Sequence, residues 1–510
     1  AAKELASFDL KKKQLLLASG TLFILGLLVI VLRLHYGKYD MYMLVSLGLI
    51  ILFSILLYFS DHKSFRFVLV MVGVVEIAIS SYLMLDRIGM RSNIYSNYVT
   101  ENQELFDHLP ASVKSKRIAK NYFLNNDRGE SYAFNYKGAE IFSSNNDPKI
   151  SKLYANLGLS AYGYYYFYKT GTVVTDAIFN IGGFIDNSLP SQSISPEYIS
   201  YGLRDDLKNN PILLKEKQYT AYRTDTLPLV FAGNLSNNLK FKSDDPVYNQ
   251  NLVLNSLTQT QGNVLTYSPK VAKIKVTDSE LNQEKKKFTV TRTSDKEGSV
   301  TFTFDGLKPK ETAYVQFGKD LMGFADPLTT YHASQDGNNK PELSININKK
   351  DVRLQPQVKQ LIGVRANQKG QVQIKWSLAG NKRILTSEIP RLVNINSTLL
   401  RSKVSQVNNK KQMHLTTFRD NYLSGKINTT KNENLVTTIP YSRGWKVKVD
   451  GKPVKVSRTL NVFIGLNMKP GKHTVVMRYR TPGLLIGVIT SIIGIILLVV
   501  FNGYLEKKKY

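Results

Sequence analysis

Apolar residues crowd together in four places along the chain and alternate with polar ones through much of the remainder. The crowded runs are 15–32, 41–59, 67–85 and 484–501. Each is about 18–19 residues long, near the lower length with which a helix crosses a hydrocarbon core of roughly 30 Å, so each predicts a transmembrane helix. The first is a poor signal peptide, because no small-residue cleavage site follows it and two further runs come directly after. The chain opens AAKELASFDL without an initiator Met and reads as a piece of a longer protein.

Between the third and fourth runs the period changes. Residues 86–265 mix short helical and strand-like stretches with many Asn, Tyr and Ser, which predicts an α/β region. Within it DPVYNQNLVLNSLTQ (245–259) predicts a helix, with Val247, Asn251, Leu254 and Thr258 at three-to-four spacing. Asp245 is its expected N-cap and Pro246 its first position. From about residue 268 the period falls to two: AKIKVTD, KFTVTRT, GSVTFTFDG and TAYVQFG are alternating runs divided by turn residues, the pattern of a β-sandwich. Residues 391–433 interrupt the alternation with an ambiguous stretch open to a helix.

The clearest hairpin is WKVKVDGKPVKV (445–456), where Asp450-Gly451 supplies the two positive-φ positions of a tight turn. The expected architecture is therefore α-helical transmembrane segments plus a large extracytoplasmic α+β region with a β-sandwich-like C-terminal part. Its divisions are 1–85, 86–265, 266–482 and 483–510, the last being an anchor helix with a basic tail.

Charge sets the expected orientation. Lys11, Lys12 and Lys13 precede the first run, Lys63 and Arg66 separate the second from the third, and Lys507, Lys508 and Lys509 follow the fourth. All three clusters are cytoplasmic under one alternation, which puts 86–482 outside a bacterial cell membrane and the C-terminal tail inside. The chain carries no Cys, so the exterior part folds without disulfides or thiolate metal sites. Its net charge of +29 would ordinarily suggest nucleic acid. Outside a membrane the fitting partners are instead anionic lipid head groups or polyanionic envelope polymers, or the lysines simply keep the domain soluble.

Several stretches together resemble a known family. LVTTIPYSRGWKVKVDGKPVKV, followed by NVFIGLNMKPGKHTVVMRYRTPGLLIG, is similar to the C-terminal end of YfhO-type bacterial membrane proteins. NLGLSAYGYYYFYKTGTVVTDAIFNIGGFI (156–185), LPLVFAG (227–233) and DPVYNQNLVLNSLT fit the same family in order. The resemblance implies a polytopic glycosyltransferase of the GT-C type. Such an enzyme would move a sugar from an undecaprenyl-phosphate carrier to an envelope polymer such as teichoic or lipoteichoic acid. The family's acidic catalytic loop has no counterpart in this sequence, so no catalytic residue is assigned. A non-catalytic envelope protein that binds anionic polymer through a basic β domain is the alternative.

Candidate chemistry is sparse. The six histidines have no metal-ligand spacing and read as solvated; no metal-ligating residue or cofactor is evident, and a need for a divalent metal is left open. GLNMKPGKH (465–473) departs from a phosphate loop in spacing and in its last residue, and reads as a turn. In the run 162–168, Tyr164 and Tyr166 could stack on sugar rings or belong to a buried strand, and Trp445 could contact sugar or anchor the hairpin. Asp450-Gly451 is assigned to the turn alone. Glu76 interrupts the third apolar run, on one helical face with Gly73, Ser80 and Arg87. With Arg87, Arg91 and Arg33 near the outer surface, it is the candidate site for a lipid phosphate. The alternative is a structural hydrogen bond for Glu76 and a snorkelling Arg87.

Overall fold

The structure is a computed structural model, and it describes residues 63–88, 92–124, 129–162, 165–187, 198–200, 204–318, 343–352, 354, 358–380 and 383–507, with helical residues between 20 and 56. The chain divides into two compact units, 1–97 and 98–510.

In the first unit the third apolar run forms the helix Lys63–Ile88. Its Phe67, Val70, Ile77 and Met84 side chains are exposed, as suits a helix surrounded by lipid. Helical residues also fall inside the first two runs, at 20–31 and 48–56, and the ends of those two runs lie outside the described residues. Among the described residues one helix is long and apolar enough to cross a membrane alone, Leu484–Tyr504 with 21 residues; the apolar part of the third run, Phe67–Tyr82, is shorter.

Among the described residues of the second unit, three cores matter here. The first lies on a four-stranded sheet in the order Arg117–Lys120, Ile181–Asn187, Tyr219–Arg223, Ile212–Glu216. Its first pair is parallel and the others are antiparallel. The crossover between the parallel strands carries the helices Pro148–Asn156 and Val173–Ile178. The second of these is fixed by a capping box in which Thr172 and Thr175 satisfy each other's backbone N–H.

The helix expected at 245–259 is observed as Pro246–Thr258. Asp245 accepts from the Tyr248 N–H at its start, and Gln259 closes it in the left-handed region. Val253, Leu254 and Leu257 are buried from this helix, as are Leu400, Val404 and Val407 from Ser397–Lys410. Tyr314, Val393, Val436 and Phe463 join the same core, so it draws on both sides of residue 265.

The second core is the sandwich that the period-two alternation predicts. A five-stranded sheet (Lys273–Thr277, Gly298–Phe304, Val372–Leu378, Leu343–Ile347, Lys350–Asp351) and a four-stranded sheet (Leu265–Tyr267, Arg391–Ile395, Thr312–Phe317, Gln360–Arg365) bury their apolar positions together. A three-stranded sheet contributes Phe288, Val290 and Leu385. Trp376 sits at the centre, with the Phe288 and Phe317 rings each 5.9 Å away.

The ambiguous stretch 391–433 resolves into a strand, the helix Ser397–Lys410 capped by Asn396, and the hairpin His414–Arg419 with Tyr422–Thr429. Only its middle is helical, because the Asn396 side chain caps the Leu399 N–H and starts the helix there.

The third core lies between two antiparallel sheets. One has the order Val230–Gly233, Asn434–Pro440, Phe463–Leu466, Ser457–Thr459. The other has the order His414–Arg419, Tyr422–Thr429, Gly471–Tyr479, Trp445–Val449, Lys452–Val454. The expected hairpin closes this second sheet: Val449 pairs with Lys452, and Asp450 and Gly451 sit at φ 50° and 78°. Gly471–Tyr479 is the last strand, and the apolar helix Leu484–Lys507 begins five residues after it ends.

Candidate functional site

Alternation and register sort the last sheet's residues between its two faces. Leu423, Ile427, Val447, Val475 and Met477 point into the third core. Their neighbours point outward, and many are cations: Arg419, Lys426, Lys446, Lys448, Lys472 and Arg478 are all exposed. The register lines up Lys446 opposite Arg478, Arg478 opposite Tyr422, and Tyr422 opposite Arg419. Directly opposed like charges destabilise a sheet, so this row costs the fold something. The five strands contain no Asp or Glu. Among the described residues none of these six cations forms an ion pair.

Cations inside the domain are treated differently. Arg204 is fully buried, with its guanidinium on Asp176 Oδ2 at 2.5 Å and on Asp206 at 3.1 Å. Tyr168 donates to Asp176 and Tyr314 to Asp206, each at 2.8 Å. One guanidinium between two carboxylates leaves a net negative charge, and burial pushes the Asp176 carboxyl up despite Arg204. Burial alone would lower Arg204, but the two carboxylates outweigh it and raise its affinity for the proton. Gly363 is required here, because a Cβ at that position would lie 2.0 Å from Asp206 Oδ1.

Lys120 is likewise buried against Glu130, and Lys169 pairs with Glu140 at 2.6 Å. Lys403 differs: its ammonium is satisfied by Asn255 Oδ1, Thr260 Oγ1 and the Gln261 carbonyl, and burial lowers its pKa. These buried cations brace one segment against another. No spacing pattern announces them; Asp176 and Arg204 are separated by 28 residues.

The candidates read from sequence scatter. Glu76 lies on Lys63–Ile88 and accepts a 2.8 Å hydrogen bond from the Ser80 hydroxyl one turn on. Arg33, Arg91 and Tyr164 lie outside the described residues, as does the Arg87 side chain. Tyr166 packs on Tyr154 with ring centres 4.6 Å apart, beside the first core, and burial pushes its phenol up to about 12. Trp445 is half-buried, with its ring 5.4 Å from Tyr479 at the edge of the third core.

Two sequence readings need correction. Asp450 does more than turn the chain: its carboxylate accepts from His473 Nδ1 at 2.7 Å and from the Thr474 N–H at 2.8 Å. His473 is consequently not a free solvated imidazole, since its Nε2 also faces the Lys469 carbonyl at 2.9 Å. The Asp450 contact raises its pKa against partial burial, and the same contact lowers that of Asp450. His108 is paired too, with Glu216 at 2.5 Å. Strand register brings Asp450 and His473 together, a helix end meeting a strand end brings His108 to Glu216, and no local motif reports either. Among the described residues no group of three or more His, Asp or Glu could hold a metal ion.

A β-rich module is joined with almost no linker to a helix long and apolar enough to cross a membrane. Comparison with known proteins supplies the class. The family described as "Bacterial membrane protein YfhO" matches residues 1–491, and the chain belongs to that family. The "Uncharacterized protein YfhO" of Bacillus subtilis (strain 168) is 32% identical over 89 residues, which is 18% of this chain and 10% of that protein. The matched part thus spans about a tenth of that relative's length. A crystal structure of the conserved protein of unknown function PA5104 from Pseudomonas aeruginosa PAO1 aligns with 41% of this chain and 93% of its own. At 6% identity and a TM-score of 0.11, that likeness carries no argument.

Proposed function

We propose that this chain is the exterior and C-terminal part of a polytopic membrane glycosyltransferase. Its reaction would move a sugar from an undecaprenyl-phosphate carrier to an anionic cell-envelope polymer such as teichoic or lipoteichoic acid. Membership of a membrane-protein family supports the location. The observation that carries the reading is the carboxylate-free cationic sheet, whose last strand leads into the apolar helix. Such a face offers a polyanionic acceptor a surface beside the membrane in which a lipid-linked donor resides. Residues 86–482 are assigned to the exterior, and the Glu76 stripe, with Arg87, Arg91 and Arg33, to the carrier phosphate.

The test is made in cells that express the complete protein as their sole copy. Sugar on the envelope polymer should depend on the protein. It should disappear in Glu76→Gln and Arg87→Ala variants whose membrane levels remain normal. Polymer sugar that persists without the protein would remove the transferase reading, and loss of polymer retention instead would support the non-catalytic binder. Full glycosylation in both variants would remove the stripe from the site.

A further inference from the structure

Cations lie at both ends of the last sheet, with exposed Lys452 and Lys469 at the end away from the apolar helix. The strand Gly471–Tyr479 runs from the hairpin tip toward the apolar helix, so position along it measures nearness to that helix. Lys472 lies at the far end, Lys426 is level with Thr474, and Lys448 is level with Val476. At the near end, Arg419 and Lys446 share one row with Arg478, and exposed Arg443 and Arg480 follow beyond it. Asp420, in the turn after Arg419, is the acidic residue of this end.

The rim is also tied tightly to the helix. The Arg480 N–H still bonds the Gly444 carbonyl at 3.0 Å, so the pairing holds to within four residues of Leu484. Four residues reach at most about 14 Å, which puts Arg480 in or beside the head-group layer of any membrane the helix enters. Trp445 and Tyr479, paired across the strands at the same end, are the aromatic types that settle where one side is apolar and the other wet.

We propose that this rim, Arg443, Lys446, Arg478 and Arg480 around the Trp445–Tyr479 pair, rests on anionic lipid head groups of the membrane that the apolar helix crosses. Continuity with the helix and the aromatic pair beside it favour lipid over a soluble polymer at this end. The far cations, Lys426, Lys448 and Lys472, remain for other anions. Because the rim is tethered, contact needs only a small attraction, and each cation near an anionic surface contributes on the order of fivefold in occupancy. The inference requires that the helix crosses a membrane; it does not require sugar transfer.

The chain has two tryptophans, and Trp376 is fully buried in the sandwich, so a lipid-borne quencher reads Trp445. The full chain is reconstituted in nanodiscs whose lipids carry a nitroxide at the head group, with phosphatidylcholine alone or with about 30% phosphatidylglycerol. A Trp445→Phe chain supplies the background. Trp445 emission should be quenched at least twice as strongly in the anionic discs. That excess should vanish on raising salt from about 0.1 M to about 1 M, where the screening length shrinks to about 3 Å. It should also vanish in the fourfold variant Arg443→Gln, Lys446→Gln, Arg478→Gln, Arg480→Gln. Equal quenching in both discs, or none in either, overturns the proposal. So does release of the quench by soluble poly(glycerol phosphate) at matched charge, which would assign the rim to polymer.

Discussion

Replacing Arg204 by Met removes the one cation shared by two buried carboxylates while nearly preserving side-chain length. Stranding a buried charge in this way costs about 3–5 kcal/mol. The chain has an escape, because Asp176 or Asp206 can take up a proton. At pH 7 that uptake costs about 4 kcal/mol for a carboxylate with an ordinary value near 3.9, which caps the penalty at each one. Tyr168 and Tyr314 still donate to the two carboxylates and help to hold whichever stays charged. A deficit of about 4 kcal/mol at pH 7 is therefore expected, falling to about 1.5 kcal/mol at pH 5 as the proton becomes easier to acquire.

The sign follows from proton counting. Burial already raises the Asp176 pKa against Arg204, and without Arg204 that opposition is gone, so the folded state binds more protons than the unfolded one. Stability of the variant must then rise as pH falls toward 4. The assay is a thermal melt of the chain in detergent, followed by emission from buried Trp376, with variant and wild type compared at each pH. At about 2 °C per kcal/mol for a domain of this size, the midpoint should drop by about 8 °C at pH 7 and about 3 °C at pH 5. Adding Asp176→Asn and Asp206→Asn should abolish the pH dependence. A deficit that stays constant with pH would refute the account of the centre as a charge brace.

The absence of cysteine makes topology directly testable: in intact cells an impermeant thiol reagent should label Lys452→Cys and leave Lys63→Cys untouched, and the reverse pattern would invert the assignment. The Asp450–His473 contact should protect the hairpin tip over a bounded pH range. The His473 pKa is raised, so its contribution is complete below about 6.5 and lost as pH climbs through its folded value. The Asp450 pKa is lowered, so its contribution is present above about 3.9 and lost on acidification through its folded value. Hydrogen exchange at the Asp450 and Thr474 amides should be slower than in His473→Gln between those limits. Their difference should disappear at alkaline pH, and its persistence there would show that the imidazolium is not the source.

Local pattern made some elements legible and hid others. The helix 246–258 was readable because its N-cap, its proline and its buried spacing all lie within one stretch. The hairpin at 445–454 was readable because Asp-Gly turns and period-two alternation are local too. The stretch 391–433 was opaque, since helix and strands follow one another within a few residues and only Asn396 marks the change. The buried ionic centre was invisible for a different reason: Asp176 and Tyr314 come from segments far from the Arg204–Asp206 turn, and three-dimensional proximity leaves no trace in spacing. The cationic face fell between these cases. Lys446 and Lys448 alternate with Val447 and Val449 within one short run, but Arg419 and Arg478 join them only through register.

The net charge of +29 is set by 68 Lys and Arg against 39 Asp and Glu, and the fold decides where those acids lie. Inside the second unit many carboxylates are committed: Glu130 to Lys120, Glu140 to Lys169, Asp176 and Asp206 to Arg204, Glu433 to Lys411. A buried charge without a partner costs too much to keep, so these acids stabilise the fold by neutralising cations at the places where segments meet. The last sheet receives none in its strands. Its inner face is apolar and its outer face carries like charges opposite one another, an arrangement that no packing demand explains. On the reading proposed above, a sheet that leaves Lys446 facing Arg478 beside the apolar helix would be arranged for an anion that the chain does not itself contain.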